Sequence, residues 1–160
     1  MEGNSQGKRL WTYLPGIVLI SLVGIAVGLG VFTFGYARGA SYLSDNPDTC
    51  MNCHVMRDQY EAWGHSTHAR VATCNDCHTA HDFLGKWITK AINGWNHSVA
   101  FTLDNFHEPI RIKDFNARIV ENSCIHCHEP LLDQVYEHMQ IDNSLTCISC
   151  HADVGHPTRN

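Results

Sequence analysis

The sequence predicts a mainly α-helical protein, with one N-terminal transmembrane helix joined to a small domain that has little or no β-sheet. Three observations carry this. An uncharged apolar run extends from about Leu14 to Phe34. The string Cys-x-x-Cys-His occurs four times in the rest of the chain. No apolar/polar alternation of useful strand length appears, whereas apolar residues recur at helical spacing over 83–101.

The apolar run has 21 residues. At 1.5 Å per residue it reaches about 31 Å, enough to cross a bilayer core. Pro15 is near its start, where a helix tolerates proline. Trp11 and Tyr13 at one end and Tyr36 at the other fit interfacial aromatic belts. The run exceeds a signal-peptide core and no A-x-A cleavage site follows, so it reads as an uncleaved anchor rather than a cleaved signal. Lys8 and Arg9 precede it and only Arg38 follows closely, which predicts a cytoplasmic N-terminus. The expected layout is a cytoplasmic tail over 1–11, an anchor over 12–36 in the cytoplasmic (inner) membrane, and a periplasmic domain over 37–160. Gly24 and Gly28 form a G-x-x-x-G, which fits packing against a second span or ordinary glycine usage in a membrane helix.

The repeated string stands at Cys50–His54, Cys74–His78, Cys124–His128 and Cys147–His151, and uses all eight cysteines. It is the attachment signature of c-type haem. Two thiols one helical turn apart add to the two vinyl groups of one porphyrin, and the next residue offers an imidazole to the iron. Zinc ribbons also use paired Cys-x-x-Cys, but give no reason for a His after every second Cys. With 12 His in 160 residues, four such placements have chance odds of roughly 3 in 100,000. A disulfide framework fits no better, because these pairs are more often metal or redox sites. Four covalent haem c groups follow. Roughly 30 residues per haem leave no room for a conventional core, so the porphyrins are expected to serve as one. The formal charge of −5 excludes nucleic acid as an expected partner.

The motifs come in pairs. Their first cysteines are 24 apart in the first pair and 23 in the second, with 50 between Cys74 and Cys124. This predicts two dihaem halves, about 45–82 and 118–160, as from a duplicated module. Helices are expected between the sites, at Arg57–Ala69 and Pro130–Gln140. A further helix is expected at Phe83–Phe101. Its apolar stripe is Phe83, Leu84, Trp87, Ile88, Ala91, Ile92, Trp95 and Val99; Lys86, Lys90, Asn93 and His97 form another. Such a Trp-rich amphipathic helix reads as lying on the bilayer surface, with packing on a haem face as the alternative.

His78, His128 and His151 are the fifth ligands of the second, third and fourth irons. Among histidines outside the motifs, His68 stands six residues before the second motif and His156 five after the fourth motif's His. The first motif continues as His54-Val55-Met56. Met56 offers a thioether to the same iron, and methionine ligation raises haem potential; spacing alone leaves ligation and packing of Met56 equal.

The anchor, the four motifs, the CxxCHxM start and the His68-Ala69…Cys-Asn-Asp-Cys-His run together resemble the NapC/NirT/NrfH family of membrane tetrahaem quinol dehydrogenases. The short length, with the fourth motif near the C-terminus, is most similar to its NrfH branch, the small subunits of cytochrome c nitrite reductase. The resemblance implies Met56 in place of His54 at haem 1, His156 opposite His128 at haem 3, and His68 opposite His151 at haem 4. Haem 2, on His78, would take its sixth ligand from a partner subunit, with His81 or His107 as internal alternatives. The resemblance also implies a quinol site near haem 1 containing Lys90. Seven residues after that Lys the family pattern has Asp, where this chain has Asn96 and His97. His97 shares the Lys90 stripe and titrates near neutral pH, so it is the expected proton acceptor. The implied activity is menaquinol oxidation with electrons passed to a periplasmic multihaem reductase, a nitrite reductase making ammonia, within a higher-order complex on the lipid bilayer. Alternatives are a general donor to other periplasmic reductases, a simple anchored electron carrier, and a terminal reductase with an open haem.

Overall fold

The computed structural model describes residues 5–138 and 146–156, with side chains over 11–132 and 146–156. The side chains of Lys8 and Arg9 and the end of the expected Pro130–Gln140 helix lie outside what is described. The chain divides into two compact units, Met1–Ser41 and Tyr42–Asn160.

The first unit is built on α1, Ser5–Tyr36. Its segment Trp11–Tyr36 has a mean hydropathy of 2.6 and none of it is buried inside the protein. A helix that is apolar on all sides suits a hydrocarbon solvent. Because α1 begins at Ser5, Pro15 lies inside the helix rather than in its first turn. The carbonyl of Trp11 then lacks a helical donor, at an interfacial position where headgroup water can serve it. The helix closes with the Ala37 N–H on Thr33 and the Arg38 N–H on Gly35. Arg38 takes a left-handed φ of 51°. Gly39 follows against the Phe34 ring, where a Cβ would collide.

Among its described residues the second unit is built of helices, 3-10 turns and irregular connections, with no strand. Tight 3-10 turns at Pro47–Asn52 and His54–Met56 lead into α2, Arg57–Gly64. A 3-10 turn at Thr67–Arg70 precedes α3, Cys74–His78. Then come α4, Phe83–Leu103, α5, Asp114–His138, and the single turn α6, Cys147–Cys150. The stretch expected as one helix over 57–69 breaks after Gly64, because Ser66 is extended, with ψ 160°. The helix expected to open at Pro130 instead opens at Asp114 and runs through that proline. Proline's preference for a first turn is the wrong guide when a helix is long enough to forgo one hydrogen bond.

α4 has the expected bounds within two residues. The Asp82 side chain accepts the Gly85 N–H at 2.7 Å to start it, and Asp104, left-handed at φ 50°, ends it. The Asn93 and Asn116 amides exchange hydrogen bonds of 2.9 and 3.0 Å and join α4 to α5. α3 and α6 both pack on α5, and α2 packs on the first two 3-10 turns. Among the described residues no hydrophobic side chain is buried; the buried ones are Thr79, Thr89, Lys90, Asn93 and Ser123. A unit of this composition has no apolar core of its own to oppose the conformational entropy of folding.

Candidate functional site

Each Cys-x-x-Cys-His copy has its own local support. At the first, the Asn46 side chain accepts the Asp48 N–H at 3.0 Å and Pro47 opens the 3-10 turn that carries Cys50. The Tyr60 hydroxyl donates to Asp48 at 2.6 Å and holds α2 to this turn. At the second, Thr73 and Asp76 form a capping box, the Thr73 N–H donating to Asp76 at 2.7 Å. The third copy sits inside α5. At the fourth, the Cys147 N–H donates to both Glu121 carboxylate oxygens at 3.0 Å, which ties α6 to α5. The four copies therefore differ in backbone setting: a 3-10 turn, a capped single turn, a long helix and a second single turn.

They nevertheless adjoin in chain order. The Cys50 and Cys74 sulfurs lie beside each other. Cys77 lies within electrostatic reach of Cys124 and Cys127. Cys124 hydrogen-bonds Cys147. No disulfide joins any of the eight cysteines. The attachment positions themselves thus adjoin in the order first, second, third, fourth.

The histidines gather around that line. His78 and His156 stack with ring centroids 6.0 Å apart and planes 9° apart. His68 and His128 meet at 6.1 Å with an interplanar angle of 64°. His68 and His156 thus each lie against a motif histidine. These ring neighbours are not the ligand pairs that the family resemblance implies, which are His128 with His156 and His151 with His68. Ring contact and a shared iron are different relations, since two ligands of one iron lie on opposite porphyrin faces. The internal alternative His81 stacks on His126 at 4.2 Å, in a 220 Å³ cleft lined also by Asp82, Asn122 and Ser123. At the first copy His54 is exposed and Met56 half-buried. Burial and the neighbouring His156 push the His78 pKa down to about 4, so its ring is neutral. The Nδ1 of His156 is buried without a hydrogen-bond partner. A neutral His78 ring, the orphaned His156 nitrogen, adjoining cysteines and the lack of a buried apolar core among the described residues all fit c-type haem.

Beside the first copy is a charged cluster on the inner face of α4. Lys90 is 5 % exposed. Its ammonium donates to the carbonyls of Tyr42 (3.3 Å), Leu43 (3.3 Å) and Ser44 (2.9 Å) and to the Asp45 carboxylate (3.1 Å). Asp45 also pairs with Lys86 and accepts from Asn75, the residue after Cys74, at 2.8 Å. Lys86 first, then Lys90 and Asn75, hold the Asp45 pKa down to about 2. The Tyr42 ring meets His97 edge-on, centroids 6.4 Å apart, and lies 3.2 Å from where a Cβ on Gly94 would be. Tyr42 is also within electrostatic reach of Cys50 and Cys53. Desolvation first, and the positive charge of Lys113 second, lower the His97 pKa from its ordinary 6.5. The structure so gathers Lys90 and His97 on one face around Tyr42, next to the first attachment copy. Sequence reasoning missed Tyr42 and Asp45; the available signal was an aromatic and an acid in the short stretch between anchor and first motif.

The Asp45 pKa gives a directional prediction. Its carboxylate stabilises the fold fully above the unfolded value of 3.8, and this is lost as pH falls from there to about 2. Because Asp45 is half exposed, Asp45→Asn is expected to cost only about 1 kcal/mol at pH 7. Near pH 2 most of that cost should be gone. Soret-detected melting at both pH values measures this, and an equal cost at both would refute the ion-pair account.

Residues 14–160 match the model of the NapC/NirT cytochrome c family, N-terminal region. The chain belongs to the NapC/NirT cytochrome c family. As a c-type cytochrome of electron transport it binds haem c covalently, and α1 is its membrane-anchoring helix. Among its relatives, it is 39% identical over 152 residues to the cytochrome c-type protein NrfH of Wolinella succinogenes, covering 88% of this chain and 86% of that one. Identity to the cytochrome c nitrite reductase subunit NrfH of Nitratidesulfovibrio vulgaris is 30%, over 89% and 86% of the two chains. The cytochrome c-type protein NapC of Escherichia coli K12 is 28% identical, over 93% and 88%. The fold is similar to a chain in the crystal structure of the cytochrome c nitrite reductase NrfHA complex bound to the HQNO inhibitor. That similarity has a TM-score of 0.62 and 28% identity, over 85% of this chain and 90% of that one.

Proposed function

We propose that this NapC/NirT-family cytochrome is a membrane-anchored tetrahaem menaquinol dehydrogenase that passes electrons to a periplasmic cytochrome c nitrite reductase catalytic subunit. The observation that carries the reading is the meeting of Lys90 and His97 of α4 with Asp45 and Tyr42 beside the first attachment motif. Its similarity to NrfH proteins and to a chain of the NrfHA complex supports the partner. The proposed iron ligands are Met56 at haem 1, His78 at haem 2, His128 with His156 at haem 3, and His151 with His68 at haem 4. Haem c, when bound, supplies one-electron transfer.

The residues of the chain have the remaining tasks. Oxidation of a quinol to a quinone releases two electrons and two protons. His97, its pKa lowered by desolvation and by Lys113, accepts one of the two protons from a quinol hydroxyl at the ring nitrogen that carries none, and the other passes to water at the surface. Lys90 places a fixed positive charge at the site, which favours the deprotonating quinol oxygen. Asp45 and the carbonyls of residues 42–44 hold that ammonium in place. Haem attachment outside the cytoplasm and the Lys8/Arg9 asymmetry support a cytoplasmic N-terminus and a periplasmic haem domain.

His97→Gln is expected to slow menaquinol oxidation by about 100-fold while leaving the haem spectrum unchanged. In the wild type the rate should fall as pH drops through the His97 pKa, below 6.5, because a protonated imidazole accepts nothing. The assay is menaquinol-analogue oxidation by the membrane-reconstituted protein across pH 5–8. Unchanged oxidation with intact haems would remove His97 from the site. Co-purification from native membranes identifies the reductase, and a bound subunit other than nitrite reductase would overturn that assignment.

A further inference from the structure

α4 is inside out for a helix of a water-soluble domain. Thr89, Lys90 and Asn93 are its buried residues. The diametrically opposite face carries Leu84 (70 % exposed), Ile88 (55 %) and Trp95 (72 %), with Ala91 among them. Trp87 and Ile92, 40 % and 39 % exposed, flank it. The inner face is fixed there: Lys90 has its three carbonyls and Asp45, and Asn93 its paired amide on Asn116. Rolling the helix to bury the apolar face would break all of these bonds and leave the Asp45 carboxylate and the carbonyls of residues 42–44 without the Lys90 ammonium. The cysteines of the first motif, near Tyr42, are on the side that Gly94 and His97 face, so the outward stripe is turned away from that attachment point.

We infer that the outward face of α4 is a second membrane contact, seated in the headgroup–acyl boundary of the bilayer that α1 spans. Covalent reach selects lipid over a protein partner. Lys90 grips the backbone of residues 42–44, and only residues 37–41 separate Tyr42 from the end of the span. Five residues extend at most about 18 Å, so the gripped segment never leaves the neighbourhood of the membrane surface. The stripe has no charged side chain, and its two tryptophans are the type that partitions to the interface. The seat does not depend on the menaquinol reading or on which reductase is served. It holds the charged cluster on the opposite face at a constant height above the acyl chains.

The test uses the full-length holoprotein in nanodiscs of phosphatidylethanolamine and phosphatidylglycerol. The photo-crosslinker p-benzoylphenylalanine replaces Leu84, Ile88 or Trp95 in turn, with Ile25 in the span and Glu61 on α2 as controls. Retention of the haem spectrum identifies the variants that have folded, and three positions on one face keep the outcome readable if one fails. Mass spectrometry then measures lipid adducts. At least tenfold more adduct at positions 84, 88 and 95 than at 61, approaching that at 25, is the expected result. Adduct at those positions no greater than at 61, while 25 labels normally, overturns the proposal; crosslinks to a protein subunit there overturn it as well and assign the face to that subunit.

Discussion

Lys90→Met is expected to destabilise the haem domain by about 2–3 kcal/mol and to slow menaquinol oxidation at least tenfold. The ammonium of Lys90 has three protons and four acceptors, three of them backbone carbonyls of one short segment. A hydrogen bond to a charged group contributes about 1.5–3 kcal/mol, and an acceptor left buried without a donor costs about 1–3 kcal/mol. Tyr42, Leu43 and Ser44 are exposed residues whose carbonyls water partly re-satisfies, which places the net loss at the lower end. Lys86→Met is the control. Lys86 pairs with the same Asp45 but is 31% exposed, and pairs of that kind contribute about 0.2–1 kcal/mol. Denaturant unfolding followed at the Soret band compares the two. Equal stabilities would show that Lys90 braces nothing. Activity falls with the brace because residue 42 carries the ring that faces His97.

Met56→His is expected to lower the potential of the first haem by on the order of 0.1 V or more, since a thioether ligand raises the potential relative to an imidazole in the same position. The structure distinguishes Met56, half-buried, from the exposed His54 of the same motif. Potentiometric titration of the holoprotein measures the shift, with Met56→Leu as the companion variant that removes the thioether without offering a nitrogen. If His54→Gln moves the first potential and Met56→His does not, the iron is held by His54. The other three motifs lack a methionine two residues after the histidine, so their potentials should remain in place.

Much of this molecule is legible from residue types and spacing alone. Eight cysteines in four identical strings admit few chemistries, because a thioether-linked porphyrin demands two thiols one turn apart and an imidazole beside them. The anchor is equally readable, since an uncharged run long enough to span hydrocarbon has few other uses. The bounds of α4 follow from Asp82 at its start and the apolar repeat along it. All of these are local signals, set within a few turns of chain.

What required the folded chain is long-range. Periodicity showed two stripes on α4 and left open which one faces inward. The answer came from residues 42–45 and Asn116, which are 48 to 45 positions before Lys90 and 23 after Asn93. The same is true of Tyr42 and Asp45, ordinary residues in sequence that become a site only when α4 lies over them. The order in which the four motifs adjoin, and the histidines that lie against His78 and His128, also depend on α3 and α6 packing on α5. Local composition decides what each segment is chemically able to do. Which charges, rings and thiols meet is decided by contacts between distant segments, whose energies no single segment contains.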